Sequence, residues 1–226
     1  MKKIDVRGVI IPNDYQDVYD WLGMDGTSPR KVSQALQGNE DVLIKINSVG
    51  GDVWSGSEIY TMLRAHKGNV EVNITGLAAS AATVIAMAGD VIKMSPTSQF
   101  MIHNASTKYS GNKNEIKSTL NQLEEADRSI LNAYKAKTGA SEEDLTTMMD
   151  NTTWLSAEKA LEMKFIDGIM FEEDKSLQLI ASTADLISSE KLNEFKEMMN
   201  KETMTAHENE AVFLLAKSQY DLLNLK

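Results

Sequence analysis

Two residues of this sequence could serve as a nucleophile and its general base. Ser80 closes the segment 76–80 (G-L-A-A-S), which follows a predicted strand and precedes a run of small apolar residues. The chain has no cysteine, which excludes a thiol nucleophile and a cysteine-bound metal. Of only three histidines, His103 is the one that directly follows a predicted strand. A serine activated by a histidine is the simplest nucleophilic arrangement left.

Each of these residues also has a purely structural interpretation. Serine is a favoured N-cap, so Ser80 could simply begin the following helix. A lone histidine at a strand end, such as His103, could face the core. His66 lies at the charged end of a predicted helix, where solvation or the helix dipole explains it, and His207 lies in an acidic stretch. With so few histidines, a histidine-rich metal site is not expected.

A glycine pair follows the strand that is most strongly predicted, residues 42–46 (V-L-I-K-I). The segment N-S-V-G-G-D then predicts a turn. Adjacent glycines let the backbone approach a ligand closely, so one of their N–H groups could point into a cleft. Together with the free N–H groups at the start of the helix at Ser80, such a donor could stabilise an oxyanion. A Gly-Gly pair by itself is more often a plain turn.

The elements that must position these residues alternate between strands and helices, which predicts an α/β fold with mainly parallel or crossover connections. From residue 172 the composition changes, with 11 acidic against 6 basic residues and two amphipathic stretches. We therefore predict one domain over 1–171 and an acidic tail over 172–226 that is helical or partly disordered. Strands are predicted at 4–11, 42–46, 70–74, 91–94, 99–102 and 166–171. Helices are predicted at 29–36, 53–64, 80–88 and 113–137, with two more that begin at 141 and 156.

Composition also limits the classes of partner. The net charge is −10, which argues against a nucleic-acid partner because such binding needs a basic footprint. No apolar run approaches the roughly 20 residues that span a bilayer, and the start M-K-K-I-D-V-R-G lacks the apolar region of a signal peptide. The absence of cysteine fits a reducing cytoplasm. We therefore expect a cytoplasmic protein with neither a nucleic-acid nor a membrane partner.

Three motifs in a fixed order, I-N-S-V-G-G-D, G-L-A-A-S-A-A and M-I-H-N, resemble the proteolytic subunit of the Clp protease (ClpP) family. The resemblance runs from about Ile4 to Met170 and includes a long helix that ends in K-T-G and the segment W-L-S-A-E-K-A-L-E-M-K-F-I-D-G. The order of several motifs is far more specific than any one of them. The sequence is most similar to the phage or prophage branch of the family, through G-D-V-W-S-G and G-L-A-A-S-A-A-T-V-I-A-M-A-G.

This resemblance implies a serine endopeptidase with the ββα superhelix that the family shares with crotonases. Motif by motif, Ser80 would be the nucleophile and His103 the general base, with the N–H groups of Gly51 and Ala81 as the oxyanion hole. The helix at 113–137 would be the handle that packs rings together. No metal or other cofactor is implied. The implied partners are protein or peptide substrates and copies of the same chain, in single or stacked heptameric rings inside a bacterial host cell, with a role in phage head maturation.

Two features depart from the family. An acid is expected four residues before the serine of W-L-S, where this sequence has Thr152, and the nearest acid is Asp150. Either Asp150 takes the orienting role, or Ser80 and His103 work as a dyad, or the enzyme is weakened, because a threonine cannot offset an imidazolium charge. The sequence also begins almost at the first predicted strand, so the axial loop of housekeeping members is missing. This puts pairing with a Clp-type ATPase in doubt.

Two other functions remain open at this point. A crotonase-like acyl-CoA enzyme would use the same oxyanion geometry but would leave Ser80 and His103 without a role. A catalytically weakened or inactive assembly protein would account for Thr152.

Overall fold

A parallel β-sheet forms the centre of the protein. The structure is a computed structural model that describes residues 1–172 and Leu214. In this part of the chain eight strands form one sheet: β1 (Lys2–Ile10), β2 (Gly26–Thr27), β3 (Val42–Gly51), β4 (Val70–Ala79), β5 (Val91–Met94), β6 (Gln99–Ile102), β7 (Thr153–Ser156) and β8 (Gly168–Ile169).

Helices connect most of these strands. The described residues contain a short 3-10 helix and seven α-helices. The 3-10 helix is Asn13–Tyr15, and the α-helices are α1 (Gln16–Trp21), α2 (Pro29–Ala35), α3 (Val53–Arg64), α4 (Ala81–Ala86), α5 (Lys113–Thr138), α6 (Glu142–Asp150) and α7 (Ala157–Glu162). None of the helices in the described residues is both long enough and apolar enough to cross a membrane.

The order of the strands brings two strand ends together. The main path through the sheet is β2-β1-β3-β4-β5-β8, with every neighbouring pair parallel. The first half of β4 pairs with β5, whereas residues 77–79 at its end pair in parallel with β6. β7 pairs with β6 in the antiparallel direction. The ends of β4 and β6 therefore lie side by side at one edge of the sheet.

Alternation along the central strands builds the core. Ile44 and Ile46 of β3 and Val72 and Ile74 of β4 are fully buried, while the residues between them are more exposed. Burying a branched apolar side chain of this size stabilises the fold by about 1.5–3 kcal/mol. Ile59 of helix α3 is also fully buried and belongs to the same hydrophobic core. The packing of these buried side chains thus holds the strands that carry the candidate site in place.

The long helix α5 has a buried half and an exposed half. It begins at a capping box made by Asn112 and Glu115 and ends at Gly139 in the left-handed conformation. Ile116 and Leu120, in its first half, are exposed. Its buried residues all lie in the second half: Ala126, Ile130, Leu131, Ala133, Tyr134 and Thr138. Within the described residues, the first half of α5 therefore contributes no fully buried side chain to the hydrophobic core.

The predicted α/β class, with its parallel sheet and long helix, is confirmed, while several boundaries differ. The segment N-S-V-G-G, predicted as a turn, belongs to β3, whose register shifts between Ile46 and Ser48. β4 continues to Ala79 instead of closing at Gly76. Pairing with β1 and β6 explains both extensions, because tertiary contacts override the weak strand preference of glycine.

Other elements were missed or placed wrongly. The helix predicted at 80–88 spans Ala81–Ala86, and the strand predicted at 166–171 shortens to Gly168–Ile169. The short strands β2 and β7 and helix α1 were not predicted, since they depend on pairing with distant segments. The chain divides into two units, Met1–Glu173 and Asp174–Lys226. The predicted tail 172–226 lies outside the described residues apart from its first residue and Leu214, so the proposed tail conformation remains a prediction.

Candidate active site

The turn from β4 into α4 carries Ser80 in a strained conformation. Its φ and ψ are 55° and −127°, a region that costs a residue with a side chain about 1–3 kcal/mol. The turn is tied to the neighbouring strand, since the N–H of Ser80 donates to the carbonyl of Met101 over 3.0 Å. Ser80 occupies the N-cap position, but its side chain makes no capping hydrogen bond. Its half-buried hydroxyl is therefore available for another partner.

Gly50 lets the end of β3 press against this turn. It has a φ of +87°, and a Cβ at this position would lie 2.5 Å from the carbonyl oxygen of Ala79 and 2.7 Å from the Cβ of Ser80. Neither distance is possible for real atoms. The close approach of β3 to the nucleophile turn therefore requires glycine at position 50, where sequence reasoning had singled out only its neighbour.

Ser48 fixes the orientation of the glycine turn. Its hydroxyl accepts the N–H of Gly50 over 3.1 Å and donates to the carbonyl of Gly8 in β1 over 2.7 Å. Both groups lie on the β1 side of β3. Ser48 is buried, so this pair of hydrogen bonds is shielded from water.

The predicted oxyanion donors are the N–H groups of Gly51 and Ala81. Gly51 directly follows Gly50, whose backbone packs against Ala79, Ser80 and Ala81. The N–H of the next residue, Asp52, donates to the carbonyl of Ile10 over 2.9 Å, on the β1 side. Ala81 is the first residue of α4, where an N–H has no acceptor within the helix. Both predicted oxyanion donors therefore border the Ser80 turn.

His103 directly follows β6 and is half-buried. Met101, two residues before it, receives the N–H of Ser80, so the two candidate residues lie at neighbouring strand ends. Among the described residues, no hydrogen bond is made by the His103 ring or by the Ser80 hydroxyl. The fold thus brings together the residues that the sequence singled out, and it leaves both polar groups unengaged.

Two carboxylates hold the segment that follows His103. Asp150 Oδ1 accepts the amide Nδ2 of Asn104 over 2.7 Å, and Asp127 Oδ1 accepts the N–H of Ala105 over 2.6 Å. Burial raises the pKa of the Asp127 carboxyl above its ordinary value of 3.8, and the charge of Asp150 raises it further. The Ala105 hydrogen bond and the His103 ring act in the opposite direction on this pKa.

Thr152, at the position where the family places an acid, is exposed. It has a φ of 48°, and its N–H donates to the carbonyl of Met149 at the end of α6 over 3.1 Å. Its hydroxyl makes no hydrogen bond within the described residues. Thr152 therefore ends a helix, and the described contacts give it no link to His103.

A buried hydroxyl relay connects α5 to the nucleophile turn. Thr83 Oγ1 donates to the carbonyl of Ser80 over 2.5 Å and so must accept the O–H of Tyr134, also at 2.5 Å. Burial raises the pKa of the Tyr134 phenol above its ordinary value of 10.0, against the opposing effect of the Thr83 hydrogen bond. Sequence analysis had placed Tyr134 only on the apolar face of the long helix.

A cleft of about 300 Å³ opens beside the glycine turn. One wall is formed by Gly51 and the start of α3, including Trp54, and the other by α5, including Leu123. The segment after His103 closes it with Ala105 and Tyr109. Polar and apolar groups share this lining. In the described residues no three His, Asp or Glu side chains lie close enough together to hold a metal ion.

Together, the fold and the site define an α/β protein with a serine at a strained strand-to-helix turn, packed against a glycine turn and next to a strand-end histidine. The chain belongs to the Clp protease family, since the family model described as Clp protease matches residues 32–173, more than half of the sequence.

Individual relatives agree with this assignment. The chain is 29% identical over 136 residues to the ATP-dependent Clp protease proteolytic subunit of Bacteroides fragilis, covering 59% of this chain and 66% of that protein. It is 29% identical over 133 residues to the subunit of the same name from Deinococcus radiodurans, covering 58% and 65%. The chain thus spans slightly less than two thirds of the curated relatives that it matches.

A solved structure supports the fold. A mutant of ClpP1 from Listeria monocytogenes superposes with a TM-score of 0.62 at 24% identity, over 76% of this chain and 93% of that chain. The family model and the curated relatives favour the ClpP-like family over the acyl-CoA alternative. They do not test the phage branch.

Proposed function

We propose that this protein is a serine endopeptidase of the ClpP type. The observation that carries the proposal is the strained Ser80 turn, whose free hydroxyl lies at the strand end next to the one that bears His103. A residue is kept in such a conformation only where the surrounding structure enforces it, and such strain clusters at active sites. Membership of the Clp protease family supports the interpretation of this geometry as a nucleophilic serine next to its general base.

The reaction would be acyl transfer in two stages. Ser80 Oγ attacks the scissile carbonyl carbon while His103 takes the hydroxyl proton, and the N–H groups of Gly51 and Ala81 stabilise the resulting oxyanion. The C–N bond then breaks as His103 returns the proton to the leaving amine. Water, deprotonated by His103, hydrolyses the acyl-serine ester and releases Ser80. The sequence proposes Asp150 as the acid that orients His103, and in the structure the Asp150 carboxylate accepts the Asn104 amide.

Substrates and partners follow from the same proposal. The mixed lining of the cleft beside Gly51 suits a peptide backbone together with apolar side chains. The exposed Ile116 and Leu120 on α5 suit contacts between copies of the chain, in keeping with a homo-oligomeric ring in a bacterial cytoplasm. A seven-membered ring and phage capsid or scaffold proteins as substrates are the finer proposals that the sequence resemblance supplies.

Labelling with a serine-directed fluorophosphonate tests the nucleophile. The intact mass of the purified full chain should rise by one probe adduct, and Ser80→Ala should abolish the adduct. Ser57→Ala, which removes an exposed hydroxyl on α3, is the matched control and should label like the unmodified protein. An equal adduct on Ser80→Ala, or no adduct on a folded unmodified protein, would contradict the proposal.

Turnover and assembly are tested separately. Cleavage of casein or a fluorogenic peptide distinguishes a working peptidase from a weakened one, because a weakened enzyme can still be labelled. Light scattering at micromolar concentration should give a mass several times the 25.0 kDa of one chain. A monodisperse monomer would remove the ring from the proposal while leaving the labelling result intact.

A further inference from the structure

The two carboxylates beside His103 hold the chain in different ways. Asp127 lies on α5 and receives a backbone N–H, that of Ala105, over 2.6 Å. Asp150 lies at the end of α6 and receives a side-chain amide, that of Asn104, over 2.7 Å. A bond to the backbone fixes the path of the chain two residues from His103. A hydrogen bond to the rotatable side chain of Asn104 restrains the path of the backbone less directly.

Burial also distinguishes the two acids. Asp127 is half-buried, whereas Asp150 is exposed. Water screens the charge of an exposed carboxylate, and a partly buried one acts more strongly on its neighbours. The interaction between Asp127 and the His103 ring lowers the pKa of Asp127, so the two lie within electrostatic reach. The imidazolium that forms when His103 accepts a proton would therefore have an opposite charge within electrostatic reach.

A second cavity, of about 210 Å³, lies next to the two carboxylates, and Asn104 is part of its lining. The charged groups that line it are Glu124, Asp127 and Arg128 on α5 and Glu142 and Asp150 on α6. Among these charged groups, Asp127 is the one that receives a backbone N–H of the segment that follows His103.

Helix α5 contacts both halves of the site. Tyr134, seven residues after Asp127, donates to Thr83, which in turn donates to the carbonyl of Ser80. Seven residues are close to two turns of a helix, so Asp127 and Tyr134 lie on the same side of α5. One rigid helix thus sets the position of the His103 segment relative to the Ser80 turn.

We propose that Asp127, rather than Asp150 or Thr152, is the positioning residue that orients His103 and balances its charge during catalysis. This inference rests on the proposed roles of Ser80 and His103. The family places its acid just before the W-L-S segment, where this chain has Thr152. Asp127 would supply the acid from a different element, helix α5. Asp127 acts through the backbone of Ala105 and through space, and it does not contact the substrate.

The first test compares three variants and one control variant by the rate of fluorophosphonate labelling at pH 7. Asp127→Asn keeps an oxygen acceptor for the Ala105 N–H but removes the charge, and we expect a loss of about 10²-fold, less than the roughly 10⁴-fold of a directly bonded triad acid. Asp127→Ala removes both the oxygen acceptor and the charge, so its labelling rate should fall further. Asp150→Asn should lose less than Asp127→Asn. Glu125→Gln makes the same charge change at an exposed site on α5 and should label normally.

The second test does not depend on activity. The three histidines of the full chain are few enough to follow individually by NMR, and Ser80→Ala can serve as the background. The NMR signals of the His103 ring at pH 7 should move when Asp127 becomes Asn, because the ring loses a nearby opposite charge and the Ala105 N–H loses its charged acceptor. His66, whose Nε2 contacts the carbonyl of Glu40 over 2.8 Å, is the internal reference and should not shift.

These readouts separate the two ways in which the inference can fail. If the unmodified protein is not labelled, the proposed function fails, but the NMR signals of the His103 ring still test its coupling to Asp127. Normal labelling of Asp127→Asn, or a loss from Asp150→Asn that equals or exceeds it, overturns the inference. So does reduced labelling with unmoved His103 signals and a lowered Tm, because that result describes a purely structural residue.

Discussion

The Ser80 turn and the His103 segment lie at neighbouring strand ends, yet different forces hold them. The turn is fixed by backbone contacts: Gly50 leaves no room for a Cβ, and the N–H of Ser80 is bound to β6. The His103 segment is fixed by the charged side chains of Asp127 and Asp150 from two separate helices. We call the Ser80 turn the nucleophile half of the site and the His103 segment the base half. Labelling of the site should therefore be sensitive to atoms added in the nucleophile half and to charge removed from the base half.

The largest effect is expected from Gly50→Ala. The new Cβ would meet the carbonyl of Ala79 at 2.5 Å, so β3 and the Ser80 turn must move apart. Overpacking of this kind costs about 3 kcal/mol in the free energy of unfolding, and a displacement of about 1 Å at the nucleophile reduces the labelling rate about 10²-fold. Chemical denaturation and fluorophosphonate kinetics measure the two effects.

Gly38→Ala is the matched control for this change. Gly38 has a similar φ of +96°, but a Cβ there would meet no atom within 4 Å. We expect only the conformational cost of about 1 kcal/mol and an unchanged labelling rate. Equal losses in the two variants would mean that backbone conformation, and not the close approach to Ser80, makes Gly50 necessary.

A smaller effect on the same half is expected from Ser48→Ala. The substitution leaves the N–H of Gly50 and the carbonyl of Gly8 without their buried partner. An unsatisfied buried group costs about 1–3 kcal/mol, so the free energy of unfolding should fall by about that amount. Labelling of Ser80 should slow as the glycine turn loosens. A variant with unchanged stability would show that Ser48 does not hold this turn.

Tyr134→Phe tests the link between α5 and the nucleophile turn. Loss of the hydroxyl removes one buried hydrogen bond to Thr83, which costs about 1 kcal/mol at neutral pH. Burial raises the Tyr134 pKa in the folded state above its ordinary value of 10.0, so its contribution is present below pH 10.0 and is lost as the pH rises further. Thermal unfolding between pH 8 and pH 11 should therefore show a steeper alkaline loss in the unmodified protein than in Tyr134→Phe. Parallel curves would contradict this.

The smallest effect on stability is expected from Asp127→Asn. Burial raises the pKa of Asp127 in the folded state, so its contribution to stability is present below its ordinary value of 3.8 and lost as the pH rises through the raised value. At pH 7 the charged carboxylate is thus the less favourable form, and the Tm of Asp127→Asn should equal or exceed that of the unmodified protein. The difference should shrink toward pH 4. A clear loss of Tm at pH 7 would show that the base half is held by packing, like the turn.

Much of the fold could be predicted because it depends on local patterns. The β-branched strands, the long periodic helix and the glycine at its end are encoded within short windows of sequence. The candidate positions Ser80 and His103 could also be singled out, since each directly follows a strand and the carboxyl ends of parallel strands share an edge. Their assigned roles remain predictions. The different tasks of Gly50 and Gly51 were not visible, because either glycine satisfies the sequence motif.

By itself, the sequence determined the class of fold and the family, and it predicted Ser80 and His103 as the residues between which a proton would move. It excluded a cysteine nucleophile and left few ligands for a histidine-rich metal site, since the chain has no cysteine and only three histidines. Only the tertiary structure decided which acids surround His103. Asp127 and Ala105 are 22 positions apart, and Asn104 and Asp150 are 46 apart. Such contacts arise where α5 and α6 pack beside the sheet, and no local pattern in the sequence records that packing.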